Sequence, residues 1–169
     1  MYARKIDKSN QLSKEIEKLL ELCDKYDEEN DGECSFFDKP VSEEEMLKWE
    51  QDNGARIPES YKEWLRFTGR CRIAQNTASF WGPNEFHSKY VPEDMVVIGE
   101  LIGDGELVCF SKKKEEIVNI FEGRENYKSS FFDVVKEIID MLDNKPILSL
   151  SRVDELLAKF EEDRKKGLV

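Results

Sequence analysis

The stretch Ser42-Glu43-Glu44-Glu45-Met46-Leu47-Lys48-Trp49-Glu50, then Asn53-Gly54, then Ile57-Pro58-Glu59-Ser60-Tyr61-Lys62-Glu63-Trp64-Leu65, then Gly69, decides the fold. Ser42 followed three residues later by Glu45 is a capping box. Hydroxyl and carboxylate each accept a backbone N–H that the first turn of a helix leaves unpaired, so a helix starts here. Glu43, Glu44 and Glu45 fill that turn, where negative charge meets the positive end of the peptide dipoles. Met46 and Trp49 give the helix an apolar side. Gly54 ends it, because glycine enters the left-handed conformation without a steric penalty. Ile57 is held extended by the proline after it, and Pro58 at the first helical position opens a second helix. Tyr61, Trp64, Leu65 and Thr68 form the buried stripe of that helix, and Gly69 ends it.

On the N-terminal side, Leu12, Ile16, Leu19, Leu20, Cys23 and Tyr26 recur at three- and four-residue spacing, which predicts an amphipathic helix over 10–26. Residues 27–41 read as an acidic loop around Asn30-Asp31-Gly32 and Lys39-Pro40, pinned to the body by Phe36 and Phe37. On the C-terminal side the pattern shortens to strands at 72–73, 78–81, 95–102, 106–111 and 117–121. Gly82-Pro83, Gly103-Asp104-Gly105 and Lys112-Lys113-Lys114 supply the turns. Helix returns over 130–142, with Phe131, Val134, Val135, Ile138, Ile139 and Leu142 on its apolar face, until Asp143-Asn144-Lys145-Pro146 stops it. A last helix over 151–166 starts at Ser151 and carries Val153, Leu156, Leu157 and Phe160. Helices, then antiparallel strands, then helices define an α+β class. The expectation is one domain over 1–169, built on a twisted antiparallel sheet of about four to six strands.

The 169 residues are enough to bury a core without disulfides or metals. No apolar run approaches the ~20 residues of a membrane span. Nothing apolar follows Arg4-Lys5, so the N-terminus does not read as a signal peptide, and a cytosolic protein is expected. Cys23, Cys34, Cys71 and Cys109 form no CxxC pair and lie near no histidine at zinc-ligand spacing. In a cytosolic chain they are free thiols, Cys23 and Cys109 being buried small hydrophobes. The formal net charge is −11, and it is concentrated: between Asp24 and Glu50 there are eleven acids and three bases. Such a chain repels nucleic acid and anionic membranes and attracts a basic protein. A solvated acidic face is the plainer reading of the same residues.

Residues able to carry chemistry are few. His87 is the single histidine and has no partner recognisable in sequence. Gly99, Gly103 and Gly105 are followed by Leu107-Val108-Cys109-Phe110, a strand, whereas a nucleotide loop runs into a helix. Residues 27–33 lack the ordered alternation of a calcium loop. No catalytic residue, metal site or cofactor is expected. Trp49 and Trp64 lie on helical stripes and read as core. Trp81, at a strand end before Gly82-Pro83, reads either as core or as a binding anchor.

The ordered set opened by Ser42–Glu50, Gly54, Ile57-Pro58, Tyr61 and Gly69 resembles the SUKH superfamily. It continues through Val97-Ile98-Gly99, Gly103–Phe110 and Ser130-Phe131-Phe132-Asp133, covering about 42–142. The resemblance implies an α+β fold and a protein-binding role. Many bacterial members are immunity proteins that neutralise toxins, and fungal members regulate cell-wall synthesis. Trp49, Glu50, Gly54, Pro58, Tyr61, Gly69, Gly99 and Gly105 are then structural positions of the motif. The partner expected is a cognate protein toxin, plausibly a basic nuclease. Asp27, Glu28, Glu29, Asp31 and Glu33 are the candidate contacts, with Trp81 as an anchor.

Overall fold

A computed structural model describes residues 6–30, 32–75, 77–101 and 105–144. The expected helix over 151–166, Asp31 and most of the Gly103-Asp104-Gly105 turn lie outside these residues. In chain order the described elements are α1 (Ser13–Glu29), β1 (Phe36–Phe37), α2 (Glu43–Asn53), α3 (Glu59–Leu65), β2 (Cys71–Ile73) and β3 (Ala78–Phe80). A short 3-10 helix (Pro83–Glu85) follows, then β4 (Met95–Leu101), β5 (Glu106–Ser111), β6 (Ile117–Phe121), β7 (Arg124–Lys128) and α4 (Phe131–Asp143). The strands form one antiparallel meander in the order β1-β2-β3-β4-β5-β6-β7. Every strand therefore pairs with its sequence neighbour.

Alternate strand residues divide between two faces, as the pleat requires. Ile73, Ala78, Phe80, Val96, Ile98, Leu101, Val108, Phe110 and Ile117 face the helices and join their apolar stripes in the main core. The α1 stripe is Leu12, Ile16, Leu19, Leu20 and Cys23, all buried. Phe131, opening α4, packs its ring against Tyr61 (4.6 Å), Phe80 (5.0 Å) and Trp64 (5.5 Å), so one aromatic knot joins sheet, α3 and α4. The opposite face carries a smaller buried group: Met95, Val97, Cys109, Val118 and Ile120, with Trp81, Val91 and Leu107 against it.

Several boundaries differ from the sequence reading. The sheet has seven strands, more than expected. β1 forms where a loop was read, because Phe36 and Phe37 pair with Arg72 and Cys71. β7 went unread because its residues are polar and exposed except half-buried Lys128. Its hairpin is made by Glu122 (φ 49°) and Gly123 (φ 75°), whose left-handed conformations suit a two-residue turn. α1 runs on to Glu29, so the first residues of the acidic segment are helical. Pro58 is the N-cap of α3, one position earlier than predicted: its carbonyl accepts from the N–H groups of Tyr61 (2.8 Å) and Lys62 (3.0 Å). Gly69 does not end α3, which closes at Leu65. Its role is close approach, since a Cβ there would come within 2.8 Å of Val41 Cγ2 and 3.2 Å of the Lys39 carbonyl.

Candidate functional site

The motif residues build a support for Trp81. Ser42 and Glu45 form the reciprocal capping box that starts α2, and Gly54 ends it with φ 58°. Glu50 Oε1 accepts from the Ile57 N–H (2.8 Å) and pairs with Lys62 Nζ (2.9 Å), locking α2 to the start of α3. Both side chains are largely shielded from solvent, so this pair is screened less than a surface one. Trp49 sets its ring edge-on to Phe86 (5.3 Å) and Phe110 (5.8 Å) and so fixes the segment after the 3-10 helix. Tyr61, fully buried, donates its hydroxyl to the Trp81 carbonyl at 2.7 Å, with the Ile98 carbonyl 3.3 Å away. Burial pushes the Tyr61 phenol well above its usual range, so it stays a donor.

β4 carries a bulge between Val97 and Gly99. The Ile98 carbonyl left at the bulge accepts the Trp81 N–H (2.9 Å). The chain then leaves the sheet through Pro83–Glu85 and returns at His87, which forms an isolated bridge with Val97. Trp81 is half-buried on the outer face, its ring 5.5 Å from that of His87. Next to it Phe36 is flanked by the guanidinium groups of Arg72 (5.4 Å) and Arg70 (5.5 Å). These groups, with Ser79, Glu85 and Glu100, line an open groove of about 430 Å³.

The acidic residues predicted as contacts fall at the C-terminal end of α1 and just beyond it. Glu28 and Glu33 are exposed and Glu29 is half-buried. Asp27 is engaged: its carboxylate accepts from the Ser35 hydroxyl (3.0 Å) and N–H (3.3 Å). Ser35 Oγ in turn accepts from the Ala74 N–H (2.9 Å). The segment from Asp27 thus runs through Ser35 into β1, whose Phe36 borders the groove. Of the groove residues, sequence reasoning named Trp81 as a candidate and not its neighbours Phe36, Arg70, Arg72 and Glu100. An Arg-x-Arg strand opposite two phenylalanines is the signal that could have found them, given the register.

His87 Nδ1 accepts the Lys89 N–H at 3.3 Å, and among the described residues no carboxylate hydrogen-bonds to the ring. No three His, Cys, Asp or Glu side chains among the described residues are grouped to hold a metal ion. The four cysteines are buried. Burial pushes the thiols of Cys23 and Cys109 up to about 12, so neither supplies a thiolate at neutral pH. No described helix is long and apolar enough to cross a membrane.

A sequential antiparallel meander, with helices on one face and an open groove on the other, defines an α+β platform. The family profile described as SMI1 / KNR4 family (SUKH-1) matches residues 40–143, and the chain belongs to that family. Comparison with curated proteins gives no match.

Proposed function

We propose that this chain is a cytosolic bacterial immunity protein, which binds a cognate toxin domain and blocks it without catalysing a reaction. The observation that carries this reading is charge on a built platform: the acid-rich segment runs directly into a sheet edge bordering a half-buried tryptophan. Glu28, Glu29, Asp31 and Glu33 would steer a basic toxin, plausibly a nuclease, since charge complementarity speeds encounter and rejects wrong partners. Asp27 holds the segment in place, and Trp81 serves as the apolar anchor. The whole of 1–169 acts as one domain.

The test is co-expression with a toxin domain encoded beside the gene. Rescue of growth and co-purification of a complex are expected. Replacement of Glu28, Glu29 and Glu33 by Gln should slow association and weaken its salt dependence. The family's other role, a non-enzymatic regulatory or scaffold module of the cell-wall type, predicts neither rescue nor complex.

A further inference from the structure

The groove beside Trp81 carries charges in a fixed order. Arg72, Ser79 and Glu100 are register partners across β2, β3 and β4. Adjacent strands lie about 4.8 Å apart, so the Arg72 and Glu100 backbones are about 10 Å apart. Arg72 does not turn towards Glu100. It lies over Phe36, on the β1 side, and neither residue makes an ion pair with any described residue. A guanidinium placed over a ring and engaged in no ion pair keeps its N–H donors available to an incoming carboxylate. Arg70, beside it and also over Phe36, pairs with exposed Glu85 at 3.4 Å, a surface pair that exchanges readily. Between the two ends of this row the Trp81 ring offers an apolar surface.

The shape restricts the occupant. The segment 88–94 lies on the same face: Val91 packs onto the outer apolar group, and Ser88 Oγ donates to the Met95 carbonyl at 2.6 Å. The Lys112 N–H closes onto the Asp94 carbonyl at 2.8 Å. A concave groove of about 430 Å³ takes a projecting segment rather than a flat surface.

We propose that the groove binds a projecting segment of a partner protein carrying a carboxylate, an apolar side chain and a base, in that order from β1 towards β4. The inference rests on the chain being a protein-binding module and does not require the partner to be a toxin. It adds to the acidic steering above a local preference of opposite sign at the β1 end.

The experiment is selection of a phage-displayed random peptide library on the immobilised full chain, without any natural partner. Enriched peptides should combine Asp or Glu, an aromatic or aliphatic residue, and Lys or Arg. Arg72→Glu should convert the acidic preference to a basic one, and Glu100→Lys should convert the basic preference to an acidic one. Trp81→Ala should weaken binding about tenfold or more. The first two residues lie on the outer face, so unchanged melting of those variants checks the fold. No enrichment, or peptides bound equally by the Arg72→Glu and Glu100→Lys variants, would overturn the proposal. So would sedimentation showing a dimer abolished by Arg72→Glu, because a second copy would then fill the groove. If toxin rescue succeeds while the selection fails, the immunity reading stands and this one falls; the converse result separates them the other way.

Discussion

A methyl group on Gly99 would sit 2.3 Å from Phe80 Cδ1 and 2.4 Å from the Ser79 carbonyl oxygen. The β4 bulge turns Ile98 and Gly99 towards the same face, and only the residue without a Cβ fits against Phe80. Gly99→Ala is expected to destabilise the protein by about 1–3 kcal/mol, with a lowered urea midpoint. Asp27 shows how residue roles divide inside the acidic segment. Ala74 (φ 45°) and Gln75 (φ 61°) hold left-handed conformations unusual for residues with a Cβ. The Ala74 N–H rests on Ser35, which rests on Asp27. Asp27→Ala should cost about 1–3 kcal/mol and speed hydrogen exchange at Ala74. Glu28→Ala, on an exposed side chain, should leave the stability within about 0.5 kcal/mol. Sequence alone placed these two acids in one class, because the partner of Asp27 is eight residues away and only the fold brings it near.

Elements whose signals are local were legible in the sequence, and elements made by pairing were not. Ser42, Glu45 and Gly54 act within a turn of their own positions, so both ends of α2 could be read. Ser42→Ala is expected to cost about 1 kcal/mol by thermal or urea unfolding, which also tests the capping box. The α1 end was hidden for a physical reason. Asp27, Glu28 and Glu29 place negative charge at the negative end of the peptide dipoles, which disfavours helix locally. The packing of Ile16, Leu19, Leu20 and Cys23 overrides it. β1 and β7 are edge strands, and neither has an alternating apolar pattern. Phe36 and Phe37 become a strand through β2, and Arg124–Lys128 through β6. Strand β7 also resists pairing with a copy of itself. Antiparallel register about Asn126 would bring Arg124 opposite Lys128, a like-charge contact.

Across the whole molecule, acid titrates the caps together. Hydrogen bonds from Arg66 hold the Glu43 carboxyl below its usual range, and bonds from Ser42 do the same for Glu45. Ser129 and Ser130 lower Asp133 at the start of α4. A carboxyl lowered in the folded state stabilises the fold above its unfolded pKa and loses that contribution as pH falls through the folded value. The urea midpoint should therefore be flat from neutral to about pH 5 and fall below about pH 4. Glu43→Gln should make that fall shallower; an unchanged profile would show that other carboxylates govern it. The acid excess of residues 24–50 was plain in the sequence. The arginine-flanked phenylalanine was not, since Phe36 meets Arg70 and Arg72 only across strand register.

The order of the meander sets the order in which the chain can be assembled. Each hairpin closes onto the strand made just before it, so sheet growth can keep pace with synthesis and needs few long loop closures. The helical layer differs: α1 and α4 pack against each other from opposite ends of the described chain. Until α4 has left the ribosome, the α1 flank facing it is uncovered. A nascent chain stalled before Phe131 would thus contain all seven described strands but not a closed helical layer.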